Sequence, residues 1–151
     1  MDLDKTDLKA LSCLTAQGRM TWSELSGQLG ISAPAAADRV RKLEEAGLIT
    51  GYSALLSAEA LGYDLAAFVA VTLERPSHRV GFLTQIAELA AVQECHHLAG
   101  EDDYLLKVRC RNTRDLEHLI SEVIKDLPGV VKTRTSIVLS TFKETVALPL
   151  P

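Results

Sequence analysis

Apolar positions recur with two different periods along this chain. Over roughly the first fifty residues they fall three and four apart, the spacing of helices; further on, runs of β-branched and aromatic residues are interleaved with more helical stretches. Asp4 stands where an N-cap is wanted. Leu8, Leu11 and Leu14 share one face of the helix it opens, and Gly18 stops that helix. Thr21 and Glu24 in "TWSEL" form a capping-box pair for a second helix, which turns Leu25 and Leu29 inward and ends at Gly30. Ser32 caps a third, with Pro34 in the first turn where its missing N–H does no harm, and Gly47 is its C-cap. From Ala36, helical steps reach Val40, Leu43 and Gly47, the predicted buried stripe. The opposite face carries Pro34, Ala35, Asp38, Arg41 and Lys42, with Ala37 and Arg39 on its flanks. Two helices joined by a glycine turn behind a supporting first helix make a helix-turn-helix.

After this unit, "LITGYSALL" reads as a strand or hinge leading out, and "SAEALGYDL" as a short helical turn and loop. The predicted division is a helix-turn-helix domain over 1–50, a linker strand and turn over 51–64, and a second domain over 65–151. In that domain "AAFVAVTLE" is a strand, "SHRVGFLTQIAELA" a helix capped by Ser77, and "VQECHHLA" a strand. "YLLKVRCR" is the next strand, "TRDLEHLISEVIKDL" a helix capped by Thr113, and "VVKTRTSIVLSTF" a long last strand. Leu116, Leu119, Ile120, Val123, Ile124 and Leu127 follow the helical template throughout. Strand–helix–strand twice over predicts an α+β chain whose second domain is a βαββαβ ferredoxin-like sandwich. Both faces of "FVAVTL" are apolar, yet two helices cover one face of a four-stranded sheet. The other face calls for a second copy, so a homodimer through this domain is expected.

Composition narrows the class. With 47% hydrophobic and 24% charged residues among 151, the chain has the makings of a packed core. Its net charge is −4, and neither half is basic: six basic side chains face seven acidic ones in residues 1–50, and ten face thirteen beyond. A general polyanion binder is therefore excluded, and any DNA contact has to come from local clustering and from several copies acting together. The acidic "MDLDKTDLKA" does not read as a secretory signal, and no apolar run is long enough to cross a bilayer. Cys13, Cys95 and Cys110 sit in apolar-periodic segments without a CxxC pattern and read as reduced core residues, so a cytoplasmic protein is expected.

The order and spacing of "LDKTDLKAL", "GR", "LGIS", "RVRKLEEAGLITGY", "GEDDYLLKV" and "LPGVVKTRTSIVL" resemble the Lrp/AsnC (leucine-responsive, feast/famine) family of transcriptional regulators over nearly the whole chain. The resemblance implies dimers formed through an ACT-like sandwich domain, often built up into tetramers or octamers. It implies promoter binding through the helix-turn-helix, and an amino acid or similar metabolite, bound between dimers near a GxxD loop, that alters assembly or affinity. The third helix then corresponds to the recognition helix, whose N-terminal residues meet base edges in the major groove. Ser32 and Pro34 lie at its start, Ala33, Ala35 and Ala37 offer methyl groups for thymine methyls, and Asp38 follows. Arg39, Arg41 and Lys42 come one to two turns later, where phosphate contacts set position and not sequence. Arg39, on the flank, can equally brace the domain internally. The plain alternative for "DRVRKLEE" is a solvated face held by i,i+4 pairs such as Arg41 with Glu45.

The effector reading rests on "HLAGEDDYLLK". Leu98, Ala99 and Gly100 lead a tight turn whose N–H groups can hold a carboxylate, Asp103 can pair with an ammonium, and Tyr104 starts the next strand. Thr133 and Thr135 share one face of the last strand and supply hydroxyls, as the matching family positions imply. Two departures stand out: Asp102, where the family often has an aromatic residue, and Ala99, where it often has a hydroxyl. The extra negative charge points either to a cationic ligand or to a pocket that has lost its ligand. The alternative is an ordinary acidic hairpin turn. A metal at Cys95, His96, His97, Glu101 and Asp102 is not expected, because strand neighbours point to opposite faces and leave only Cys95 and His97 as donors on one side. No cofactor is expected. The sirohaem decarboxylases resemble the same architecture, but the arginines they carry after the helix-turn-helix have no counterpart in "GLITGYSALL", so an enzyme is not expected. An oligomerisation module without DNA binding is the remaining alternative.

Overall fold

A computed structural model describes residues 2–150, and the chain divides into two compact units. One runs to Leu55 and takes in the C-terminal residues from Glu144; the other is Leu56–Lys143.

The first unit holds α1 (Lys5–Ala16), α2 (Trp22–Leu29) and α3 (Ala33–Glu45). Each start is fixed by a side chain that accepts otherwise orphaned N–H groups. Asp4 takes those of Thr6 and Asp7, and Asp7 in return accepts the Asp4 N–H. Thr21 and Glu24 do the same for α2, and Ser32 accepts the Ala35 N–H for α3. Leu25, Ala36 and Val40 are wholly buried, with Cys13, Leu14, Leu29 and Ile49 packed around them. Gly47 does not extend the buried stripe. It lies past the helix end at φ 71°, exposed, donating to the Glu44 carbonyl while Leu48 donates to that of Leu43. This is the left-handed closure for which glycine is suited. α1 likewise stops at Ala16, short of Gly18, with the Gln17 N–H turned back to Cys13.

"LITGYSALL" forms no strand. Among the described residues its β-formers have no neighbouring strand to supply the ladder, and Leu55 and Leu56 stand largely exposed.

The second unit is a four-stranded antiparallel sheet of order β2-β3-β1-β4, with β1 Leu65–Leu73, β2 Val92–His97, β3 Tyr104–Cys110 and β4 Val130–Ile137. α4 (Arg79–Glu88) links β1 to β2. α5 (Thr113–His118) continues as a π-helical segment, Leu119–Ile124, between β3 and β4. This is the expected ferredoxin-like arrangement. Ala67, Val69 and Val71 of β1 and Leu106 and Val108 of β3 meet Phe82 and Ile86 of α4 and Leu116, Leu119 and Ile124 of the last helix in one core. Neither predicted cap is used. Asn112 caps α5, accepting the N–H groups of Arg114 and Asp115, because Thr113 is already inside the helix. A 3-10 turn, Pro76–His78, runs straight into α4, so no extended residue is present for Ser77 to act from. β4 ends at Ile137, short of the long strand expected, and Leu139 and Phe142 beyond it are exposed.

Candidate functional site

α3 presents the chemistry expected of a helix laid in a groove. Burial of Ala36, Val40 and Leu43 fixes its rotation, which leaves Pro34, Ala35, Arg41 and Lys42 exposed and Ala33, Ala37, Asp38 and Arg39 partly so. The basic side chains are already partnered. Arg41 reaches Asp38 at 2.5 Å and Glu45 at 2.6 Å, and Lys42 reaches Asp38 at 2.7 Å. Lys42 and Arg41 together hold the Asp38 carboxyl below the usual aspartate range. All three pairs are solvent-exposed, so exchanging carboxylate for phosphate costs little.

Arg39 differs. Its guanidinium bonds Asp4 and Asp7 at 2.7 Å each, with the Asp7 side chain 7% exposed, tying the start of α1 to the middle of α3. Those carboxylates raise its already high pKa further. The flanking arginine is thus committed to bracing the helices.

In the second unit the predicted effector residues separate onto the two faces of the sheet. Register pairs Thr133 with Val71 and Thr135 with Val69, which places both threonines on the helix-covered side. Tyr104, opposite Val71 on β3, is on that side too, buried against Phe82 and stacked with His97. Asp102 belongs to the other side. It is 6% exposed, bonded to Arg134 at 2.5 Å, and accepts the Thr72 hydroxyl at 3.2 Å. Its negative charge is answered within the chain, which removes the reason for expecting a cationic ligand. Leu98, Ala99 and Gly100 form an exposed loop. Gly100 is not among the glycines with positive φ, and an added Cβ there would meet open space, so the position does not require glycine; the short loop is closed by the Leu98 N–H donating to the Asp103 carbonyl. One Asp103 oxygen accepts the Leu73 N–H at 2.7 Å and closes the end of β1.

Asp103 and Tyr104 nevertheless line an open cleft of about 250 Å³ at this end of the sheet, together with Leu73, Arg75, Pro76, Arg79 and His97. Among the described residues no group of three or more His, Cys, Asp or Glu side chains is placed to hold a metal, and burial pushes the Cys95 and Cys110 thiols up.

Comparison with known proteins places the two units in one family. Residues 3–50 match a family model for winged helix-turn-helix DNA binding, and residues 66–148 match the Lrp/AsnC ligand binding domain. The chain belongs to the Lrp/AsnC family of transcriptional regulators. It is 40% identical over 145 residues to the leucine-responsive regulatory protein of Escherichia coli, covering 95% of this chain and 88% of that one. It is 38% identical over 146 residues to the proline dehydrogenase transcriptional activator of Rhizobium radiobacter, covering 95% and 94%. A transcriptional regulator from Neisseria meningitidis, solved as its complex with L-methionine, superposes with a TM-score of 0.95 at 34% identity, over 98% of this chain and 97% of that one. The Lrp/AsnC frame is one of regulators and not of enzymes, and the decarboxylase alternative is not favoured. Within it, the cleft residues Arg75 and Arg79 are those that sequence reading passed over, and His97 was weighed only as a metal donor. The signal was present: two arginines flank a Pro-Ser turn in "RPSHR", between a strand and a helix.

Proposed function

We propose that this Lrp/AsnC regulator binds promoter DNA as a homo-oligomer and that an amino acid bound in its second unit changes its assembly or affinity. In the first unit, Ser32 to Ala37 enter the major groove, Arg41 and Lys42 contact flanking phosphates, and Arg39 holds the recognition helix in position. The observation that carries this reading is the first turn of α3, where exposed side chains no larger than Ala and Pro allow close approach to base edges. The absence of Asn, Gln or His on α3 limits direct readout, so part of the selectivity is assigned to bending of DNA around the oligomer.

The helix-free face of the sheet supports self-association. Phe68 is exposed there between Ala66 and Ala70, an apolar strip on β1 set among the cross-strand neighbours Lys107, Arg134 and Ser136. No helix of the described residues is long and apolar enough to cross a membrane. The test uses the full chain. Selection from random-sequence duplexes enriches a motif with two half-sites, and light scattering with each of the twenty amino acids in turn shows a mass shift with one or a few. Failure to enrich any motif overturns the DNA-binding reading; an unchanged mass and unchanged DNA affinity with every amino acid overturns the effector reading.

A further inference from the structure

The cleft at the end of the sheet has a charge balance that discriminates among amino acids. Arg75 and Arg79 bring two guanidinium groups to it from either end of the Pro76–His78 turn. Arg75 has only a distant contact, 3.8 Å, with the exposed Glu74. Arg79 has no carboxylate partner among the described residues. Against these two cations the cleft offers one carboxylate, Asp103, half of which is already spent on the Leu73 N–H. The Tyr104 hydroxyl is buried and without a hydrogen-bond partner, on a residue 2% exposed that lines the same cleft. A buried hydroxyl left unsatisfied is costly, so this end of the sheet holds an unspent polar atom beneath the cleft. At about 250 Å³ the cleft falls just under the range of drug-sized pockets and suits a single metabolite.

We propose that this cleft selects an acidic α-amino acid, the two carboxylates pairing with Arg75 and Arg79 and the ammonium with the free oxygen of Asp103. The assignment rests on the reading of the second unit as an amino-acid receptor and adds the ligand's charge class to it. Neutral amino acids leave one guanidinium unanswered, and cationic ones meet two like charges. His97, stacked on Tyr104 with ring centroids 5.1 Å apart, walls the cleft and holds the phenol in place.

Calorimetric titration of the full-length protein with L-glutamate, L-aspartate, L-leucine, L-methionine, L-arginine and 2-oxoglutarate tests the assignment. Glutamate or aspartate is expected to bind at least about tenfold more tightly than the neutral and cationic amino acids, the difference one charge-assisted contact makes. R75Q and R79Q, at exposed positions whose melting temperature reports folding, are each expected to weaken that ligand about tenfold, with R79K retaining part of the affinity. Tighter binding of leucine or methionine than of the acidic amino acids overturns the charge class and leaves the receptor reading standing. Acidic binding that R75Q and R79Q do not alter places the ligand elsewhere and overturns the assignment. Equal binding of 2-oxoglutarate removes the ammonium–Asp103 contact and with it the amino-acid specificity. No binding by any of the six overturns the proposal, and the twenty-amino-acid mass measurement then decides separately whether the receptor reading survives.

Discussion

Gly129→Ala is expected to be among the most damaging single-methyl changes in the second unit, for two separable reasons. Gly129 sits at φ 86°, where an L side chain is strained by about 1–2 kcal/mol. A Cβ built there would lie 2.2 Å from Cγ and 2.5 Å from Cβ of His78, so the base of the imidazole side chain, and not its flexible end, would have to move. Overpacking of this kind costs about 1–3 kcal/mol. Together these give a loss of about 3 kcal/mol, or a melting temperature lower by roughly 15 °C for a unit of this size. Urea unfolding at one fixed protein concentration, with the slope checked for constancy, measures it. In a His78→Ala background the steric share is expected to disappear and the backbone share to remain, so the same substitution then costs about half as much. The consequence reaches the cleft, because His78 ends the turn that carries Arg75 and stands beside Arg79. A Gly129→Ala protein that unfolds at the wild-type urea concentration would refute both halves of the reasoning. An undiminished cost in the His78→Ala background would refute the steric half.

Arg41→Ala and Arg39→Ala are expected to separate contact from bracing. The first weakens DNA binding and lowers the slope of log affinity against log salt by about one per protomer engaged, with stability unchanged. The second lowers the melting temperature, because it strands the buried Asp7 carboxylate, and leaves the salt slope alone; the reverse pattern would return Arg39 to the DNA interface. Asp102→Asn is expected to cost about 1 kcal/mol in urea unfolding, a modest loss because Arg134 is exposed enough to be resolvated, and to leave ligand selectivity intact. Altered selectivity at unchanged stability would make Asp102 a ligand residue after all. The N–H of Asp7 and then the Arg39 guanidinium hold the Asp4 carboxyl below its ordinary range. Its contribution is therefore fully present at neutral pH and is lost as pH falls below about 4, through the lowered folded value. Acid unfolding followed by circular dichroism is expected to show a shallower decline for Asp4→Asn.

The sequence was most legible where one side chain does one local job. Asp4, Thr21 and Ser32 cap their helices as read, because an N-cap is decided within four residues. The sheet order followed from strand–helix–strand repetition, since few other connections pack. Legibility failed where the outcome depends on partners distant in sequence. Asp102 reads as surplus charge in "GEDD" until Arg134, 32 residues on, is brought beside it across the sheet. Arg75 and Arg79, on either side of Pro76–His78, do not read as a site until β2 and β3 deliver His97, Asp103 and Tyr104 to the same end. Ser77 and Thr113 failed for a smaller reason, each lying one residue from the cap position.

The charge on α3 supports the proposal that more than one copy acts on DNA. Between Asp38 and Glu45 three basic side chains face three acidic ones, and one of the basic three, Arg39, is tied to α1. Each protomer therefore brings two mobile cations that must leave exposed carboxylates before they meet phosphate, an exchange that costs little and gains little. Affinity has to come from linking such weak contacts, where a second docked helix adds effective concentration and not merely a second free energy. On the proposed reading, a ligand that changes assembly would change DNA affinity by orders of magnitude without touching α3. On this basis a duplex with two selected half-sites one helical turn apart, about 10 bp, is expected to bind at least about a hundredfold more tightly than a duplex with one. Fluorescence anisotropy at a single salt concentration measures the ratio. Equal affinities would mean that one α3 suffices and that control by assembly has no purchase on DNA binding.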